Sequence, residues 1–324
     1  MLDLAEVHVV SIPMHLRFRG IDVREALLLR GPGGWGEFSP FPEYDDAEAA
    51  RWLAAALESA RGDVPAAVRD EVPVNATVPA VAAADVPGVL ARFPGCTTAK
   101  VKVAQAGQAL RDDVDRVAAV REVLGPTGRV RVDANGAWTL ADARRAVAAL
   151  QAFDLEYVEQ PCADVEDLAL LRVALARAGV EVLVAADESV RRAEDPLRVA
   201  RLGAADVLVL KVAPLGGVRP ALEIARECGL PVVVSSALET SVGIRAGVAL
   251  AAALPDLPFA CGLATTSLLT GDVVTDSLDG RGGAIALRDA VPDSDRLAHW
   301  AAPPDRQRWW RERLARCAEL VPAD

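Results

Sequence analysis

Histidine is scarce in this chain, at three in 324 residues, and none of His8, His15 and His299 lies near a serine or cysteine placed as a nucleophile. That argues against a histidine-activated nucleophile and against a multi-histidine metal site. Cysteine offers little more. Cys96, Cys162, Cys228, Cys261 and Cys317 are odd in number, widely spaced and without a CxxC pair. Neither a disulfide framework nor a zinc knuckle follows, and a reduced, cytoplasmic protein is expected. Long apolar runs are missing too. The longest, 246–254, falls far short of the roughly 20 residues of a spanning helix, so no membrane association is expected. The opening "MLDLAEVHVV" has acidic residues and no basic stretch before an apolar core, unlike a signal peptide. Positive charge is in deficit, with a formal net charge of −11 and a pI near 4.9. A nucleic-acid binder normally carries a basic footprint, so that class is set aside. An anionic small substrate stays compatible, because a few placed cations dominate a cleft locally. Nothing marks an obligate protein partner.

Two glycine signatures are absent as well. No GxGxxG follows the first strand of the repeating region, which weakens a dinucleotide-binding reading. The cluster "GPGG" is not followed by Gly-Lys-Ser/Thr, so it reads as a turn and not as a phosphate loop.

From about residue 72 a rhythm is present. Short β-branched runs alternate with Ala-, Leu- and Arg-rich segments of helical period. The runs are "VPVNATV" (72–78), "TTAKVKV" (97–103), "RVRVDAN" (129–135), "LEYVEQP" (155–161), "EVLVAADES" (181–189), "DVLVLKV" (206–212), "PVVVSSA" (231–237) and "FACGLA" (259–264). Between them, "ALRDDVDRVAAVREVLG" spaces apolar residues along one face and stops at Gly125. "TLADARRAVAALQAF" opens on a capping Thr139. "DPLRVARLG" offers Asp195 as N-cap, Pro196 at the first helical position and Gly203 at the end. Eight strands alternating with helices fit a parallel barrel, and less well a doubly wound open sheet.

Residues 1–71 read differently, as antiparallel strands "EVHVVSIPMHL" and "REALLLRGPGGWGEFSP" followed by an amphipathic helix around 51–61. A Trp/Arg-rich helix near 306–320 is expected to pack back on them. The organisation is an α/β chain: an α+β capping domain from 1–71 plus 285–324, and a barrel over 72–284 carrying the chemistry.

In a parallel barrel, function collects at the C-terminal ends of the strands. Those ends carry Lys100 and Lys102, Asp133 with Asn135, Glu159, Asp187 with Glu188, and Lys211. From Lys102 to Asp133, Glu159, Asp187 and Lys211 the steps are 31, 26, 28 and 24 residues, each about one strand–helix unit. Lys100 and Lys102 share one face of their strand. Individually these residues have plain readings: Asp133 begins a turn, Glu159 is a solvated loop residue, Asp187 is an N-cap. Lys211 in an apolar strand is harder to dismiss, because a buried lysine needs a partner. Together they place an ionisable group on every strand from the second to the sixth. Carboxylates on adjacent strands repel unless they share a cation, and an oxygen-only set suits Mg²⁺. A lysine near a metal and walled off from water has a lowered pKa and becomes available as a base.

"KVK", "VDANGAW", "VEQP", "ADES" and "LKVAPLGG", in this order and spacing, resemble the enolase superfamily, in its muconate-lactonising-enzyme-like branch. The resemblance implies a modified (β/α)7β barrel of TIM type with the end-built cap. It implies one divalent metal, Mg²⁺ with Mn²⁺ able to substitute, on Asp133, Glu159 and Asp187. It further implies removal of a proton α to a substrate carboxylate, with Lys102 and Lys211 on opposite faces and Lys100 beside Lys102. Within the branch, the short chain, "GWGEFSPFPEYDD" and "SSALETSVG" are most similar to the o-succinylbenzoate synthase family, dehydratases of menaquinone biosynthesis acting on a small dicarboxylate. N-Succinylamino acid racemisation on the same site is the rival expectation. Dipeptide epimerases carry an Asp-x-Asp pair at the eighth strand, and "CGLATTSLL" has none. A non-catalytic barrel explains the fold but not five charged positions on one rim. For the substrate itself, Asn135, Ser235, Ser236, Gly262, Leu263 and Arg19 are candidates. So is Gly216, where "PLGG" opens a helix whose backbone N–H groups are able to hold a carboxylate.

Overall fold

Alternation and turn chemistry build the first sheet. In the computed structural model, which describes residues 6–191 and 195–321, β1 (Glu6–Phe18), β2 (Ile21–Gly31) and β3 (Gly34–Phe38) form an antiparallel meander. The opening "MLDLA", part of the stretch read above against a signal peptide, lies outside the described residues. The β2–β3 hairpin turns on Pro32 and Gly33, as the glycine cluster implies. Leu27, Leu28 and Leu29 are buried in succession, so both faces of this sheet are covered. One cover is the helix Asp46–Arg61, whose N-terminus is capped by the Asp45 carboxylate accepting from the Glu48 N–H at 2.8 Å. Its small face, Ala49, Ala56 and Ala60, lets it lie against the hairpin, where a Cβ on Gly36 would collide with the Ala56 carbonyl. The C-terminal helix Pro304–Leu320 returns to this cap. Trp310 packs edge-on against Phe38 at 5.8 Å and donates to Glu25 at 3.0 Å, while Arg316 pairs with Asp46 at 2.7 Å.

The repeating region forms one curled parallel sheet. Its strands are β5 (Ala76–Val78), β6 (Thr98–Lys102), β7 (Arg129–Asp133), β8 (Leu155–Glu159), β9 (Leu183–Ala186), β10 (Val207–Leu210) and β11 (Val232–Val234), neighbours in chain order throughout. The first expected run, 72–78, divides into β4 (Glu71–Pro73) and β5, and β4 pairs antiparallel with β12 (Ala284–Ala286). The eighth run, 259–264, is not a strand. It makes parallel bridges instead, Val74 to Cys261 on one side and Ser235 to Gly262 on the other. The Asn75 N–H donates to the Cys261 carbonyl at 2.9 Å and the Gly262 N–H to the Val234 carbonyl at 2.8 Å. These bonds link the two ends of the sheet, β5 and β11, and close the modified TIM-type barrel.

Helices occupy the outside. Leu110–Leu124 ends at Gly125 and Leu140–Leu150 is capped by Thr139, as the pattern implies. The segment after Asp195 departs from expectation. Its helix is only Arg198–Arg201, with Leu197 as N-cap; the Asp195 carboxylate pairs across the turn with Arg201, and the Asp195 carbonyl accepts from the Arg198 N–H at 3.1 Å.

Candidate active site

Strand alternation sends Val101, Val132, Val158 and Val184 outward under the helices, all fully buried, and their neighbours inward. Lys102 lies opposite Asp133 in the sheet, and Asp133 opposite Glu159. Asp187 follows β9 directly, and Lys211 follows β10. Asp133, Glu159 and Asp187 are each 0% exposed, and Lys100 is 6% exposed. The two lysines of the KVK run therefore face in.

Each carboxylate is engaged by a cation. Lys100 Nζ donates to Glu159 Oε1 at 2.8 Å and Oε2 at 3.0 Å, and lies 3.3 Å from Asp133 Oδ2. Lys102 Nζ donates to Asp133 Oδ2, and to Asn135 Oδ1 at 2.7 Å. Lys211 Nζ donates to Asp187 Oδ2 at 2.6 Å. The electrostatic consequence is a divergence between similar groups. Burial raises the Glu159 carboxyl to about 8, with the Asp133 charge adding to it against Lys100. Burial acts the same way on Asp133, but Lys102 and Lys100 overcome it and hold that carboxyl well below its usual range. For the lysines, burial favours the neutral amine in both. Glu159 and Asp133 reverse this at Lys100, whereas Lys102 ends below the ordinary lysine value, with the Lys100 charge adding to burial against Asp133. Of the KVK pair, Lys102 is the one whose surroundings favour the neutral amine.

Two residues bonded into this geometry, Gln160 and Arg191, carry no sequence signal that singled them out as site residues. Gln160, at φ 38°, accepts from the Asp187 N–H at 3.0 Å and the Ser189 N–H at 3.1 Å. Arg191, 4% exposed, donates to Asp187 Oδ1 at 2.9 Å and Glu188 Oε1 at 2.5 Å. Glu188 also accepts from Asn135 at 3.3 Å. A period of one strand–helix unit finds strand ends, and these groups sit beyond them, Gln160 in the loop after β8 and Arg191 at the end of the short helix Glu188–Arg191 after β9.

Above the cluster opens a cleft of about 800 Å³, bounded by barrel loops and by Phe18, Arg19 and Phe41 of the cap. Asn135, Ser235, Ser236, Gly262 and Arg19 line it. Ser236 is held by hydrogen bonds to the Gly262 carbonyl at 2.8 Å and Thr265 Oγ1 at 2.7 Å. Arg19 lies over the Phe41 ring at 4.0 Å. Two expected residues are placed elsewhere. Leu263 is fully buried and borders a separate cavity of about 20 Å³. Gly216 ends a short helix, Val212–Leu215, and is not on the cleft wall. The helix that follows "PLGG", Val218–Cys228, already has its anion. Glu58 of the cap accepts from the Val218 N–H at 2.5 Å and the Arg219 N–H at 3.1 Å. Glu58→Ala is expected to lower stability by about 1 kcal/mol, the ordinary worth of a helix cap, without changing the cleft. Denaturant midpoints compared with wild type measure it, and an unchanged midpoint refutes the capping role.

Among the described residues, no three carboxylate, histidine or cysteine side chains converge closely enough to ligate an ion as they stand. The ammonium groups supply the positive charge at Asp133, Glu159 and Asp187. The donor chemistry nevertheless fits a hard divalent cation, being three buried carboxylates without sulfur or imidazole at neighbouring strand ends. Beside them Glu188 Oε2 is buried without a hydrogen-bond partner.

The chain matches the enolase C-terminal domain-like family over residues 88–292 and the enolase N-terminal domain-like family over 9–60. It is 58% identical over 319 residues to an o-succinylbenzoate synthase of Mycolicibacterium smegmatis, covering 98% of this chain and 97% of that one. It is also 58% identical over 305 residues to one of Thermobifida fusca, covering 94% and 93%. Among solved structures, a muconate lactonizing enzyme from Pseudomonas fluorescens superposes with a TM-score of 0.76 at 24% identity, over 92% of this chain and 98% of that one. An L-Ala-D/L-Glu epimerase from Bacillus subtilis does so at 0.75 and 22%, over 89% and 96%. Those two likenesses concern the fold alone. With enolase-type N- and C-terminal domains and near-full-length identity of 58%, the chain belongs to the o-succinylbenzoate synthase family of the enolase superfamily.

Proposed function

We propose that the chain converts 2-succinyl-6-hydroxy-2,4-cyclohexadiene-1-carboxylate to 2-succinylbenzoate and water, the dehydration step of menaquinone biosynthesis, as a metal-dependent lyase. The observation that carries this reading is the pair of lysines, Lys102 and Lys211, bonded to different members of one buried carboxylate set beneath a substrate-sized cleft. We take residues 1–71 with 285–324 as the cap and 72–284 as the barrel. The superfamily uses a divalent metal. Here Asp133, Glu159 and Asp187 would hold it, Mg²⁺ by their chemistry and Mn²⁺ in its place. When bound, it would supply a fixed positive charge facing the substrate carboxylate, where negative charge develops.

The rest falls to the chain's own side chains. Lys102 takes the C1 proton, the C6–O bond breaks, and the same ammonium returns the proton to the departing hydroxide as water. The ring electrons close into the aromatic product. Lys211 serves as a cation across the site and offsets the charge that spreads through the ring. Lys100, bonded to Glu159, keeps a second cation beside Lys102 and the substrate carboxylate. Both lysines reach the same cluster, so racemisation of N-succinylamino acids, one lysine on each face, is the second reading. No helix among the described residues is long and apolar enough to cross a membrane. The absence of a nucleic-acid partner accords with the acidic charge balance, and we take the enzyme as cytoplasmic with no obligate protein partner.

Incubation of the purified protein with Mg²⁺ and the cyclohexadiene tests the reading, with the aromatic product followed by absorbance. Rapid, metal-dependent conversion is expected. An intact, metal-loaded protein that leaves the substrate unchanged refutes it. Solvent deuterium incorporation into N-succinylamino acids reports on the second reading.

A further inference from the structure

Arg24 lies on β2 of the cap, yet most of its hydrogen bonds lead away from that strand. The side chain is 2% exposed. Its Nε donates to the Leu238 carbonyl at 3.1 Å, and Nη2 donates to the Ala237 carbonyl at 3.2 Å and to the Ser39 carbonyl. Nη1 donates to the Glu25 carbonyl at 3.2 Å. One rigid fork thus ties Ser39 in the cap to Ala237 and Leu238 in the loop after β11. Arg24 also lies 4.6 Å from the centre of the Phe41 ring, on which Arg19 stacks at the mouth. Ala237, Leu238, Phe41 and Arg19 all line the cleft.

The loop needs such a hold. Leu238 adopts φ 67°, the left-handed region that disfavours leucine, and a strained backbone persists only where its surroundings over-determine it. Beyond it, Glu37 of the cap accepts from the Thr240 N–H at 3.1 Å, the Thr240 hydroxyl at 2.6 Å and the Gly243 N–H at 3.0 Å. Glu239 accepts from the Ala237 N–H at 2.6 Å. Both carboxylates are buried and neighbour Arg24 electrostatically, opposing the burial that disfavours its charge. Lysine, a point charge on a flexible stem, does not reproduce this planar fork.

We infer that Arg24 is a positioning residue that sets substrate specificity: from the cap it fixes the Ala237–Leu238 wall and the Phe41 face. It thereby fixes the fit of whatever part of the substrate projects from the barrel floor toward the cap. This rests on the cleft being the substrate site proposed above, and adds which residue shapes it. Loss of the fork loosens the wall without touching the proton-transfer groups. Binding of the projecting arm weakens while the chemical step on bound substrate continues.

The test compares Arg24→Met, Arg24→Lys and the double variant Arg24→Met/Glu239→Gln, which removes the fork without leaving both carboxylates charged. KM for the cyclohexadiene is expected to rise about tenfold in the methionine variants, with kcat within about threefold of wild type. Arg24→Lys is expected to lie between them and wild type. Amide hydrogen exchange over 237–243 is expected to accelerate in the same order. Native KM and native exchange in a folded Arg24→Met or double variant overturn the inference, as does an equal fall in kcat and kcat/KM. Should the methionine variants fail to fold, Arg24→Lys decides by itself. A raised KM with faster exchange upholds the role, and native values of both refute it. If wild-type protein does not turn over the substrate, the proposed reaction fails, and exchange over 237–243 in Arg24→Lys still decides whether the fork holds the loop.

Discussion

In a Lys102→Ala variant, conversion of the cyclohexadiene carboxylate is expected to fall by about 10²–10⁴-fold in kcat, the range that a positioned acid–base group supplies. KM is expected to change far less, because Lys102 acts on the proton and not on the body of the substrate. The environment explains why this residue matters more than its neighbour. Lys100 is bonded to both oxygens of Glu159 and is held protonated, while burial and the Lys100 charge favour the neutral form of Lys102. The other two lysines are bonded to other carboxylates, Lys100 to Glu159 and Lys211 to Asp187. Lys100, Lys102 and Lys211 are the only lysines in the chain, and arginine stays protonated and does not serve as a base. Progress curves at saturating substrate, with far-UV circular dichroism to confirm folding, measure the effect. A folded variant within about threefold of wild-type kcat refutes the role of Lys102 as base.

Asp133→Asn is expected to remove activity through a different loss, that of the divalent cation. The substitution keeps shape but replaces one of the three buried carboxylates with a neutral amide. Cation affinity is expected to drop by more than the about 10- to 100-fold that loss of an outer-shell partner costs. Calorimetric titration with Mg²⁺, and electron paramagnetic resonance with Mn²⁺, read this without any turnover. In the wild type, a chelator is expected to abolish conversion and added Mg²⁺ to restore it. Wild-type affinity in the Asn variant refutes Asp133 as a ligand. The buried lysines complicate stability, since Asp133 is the carboxylate to which Lys102 donates. Removing one partner of a buried ion pair costs about 3–5 kcal/mol, so the titrations belong well below the variant's melting temperature.

Much of the rim was legible because a strand writes its faces into its own sequence. Lys100 and Lys102 had to share a face, and spacing at one strand–helix unit had to return Asp133, Glu159, Asp187 and Lys211 to one end of a parallel sheet. What failed to read did so for identifiable reasons. Residues 259–264 have strand composition, but a strand also needs a ladder, and this segment meets its neighbours at only one bridge on each side. Gly216 followed from a general affinity of helix N-termini for anions, but the anion there is Glu58, 160 residues away in sequence from Val218. Gln160 lies in a loop and Arg191 in a helix of only four residues, Glu188–Arg191, where no period reaches.

The sequence by itself determined the alternating α/β order, the inward set of lysines and carboxylates, and the turns and caps at Gly125, Thr139 and Pro32–Gly33. The turns and caps depend on residues within a few positions of one another, and the inward set on strand alternation repeated at one strand–helix unit. Only the tertiary structure decided how the barrel closes, which carboxylate each lysine engages, and that Arg24 reaches carbonyls more than 210 residues further along the chain. Those outcomes depend on groups that meet only after the cap has docked on the barrel. A buried donor is satisfied by whatever acceptor the fold brings within about 3 Å, and local sequence carries no record of that partner.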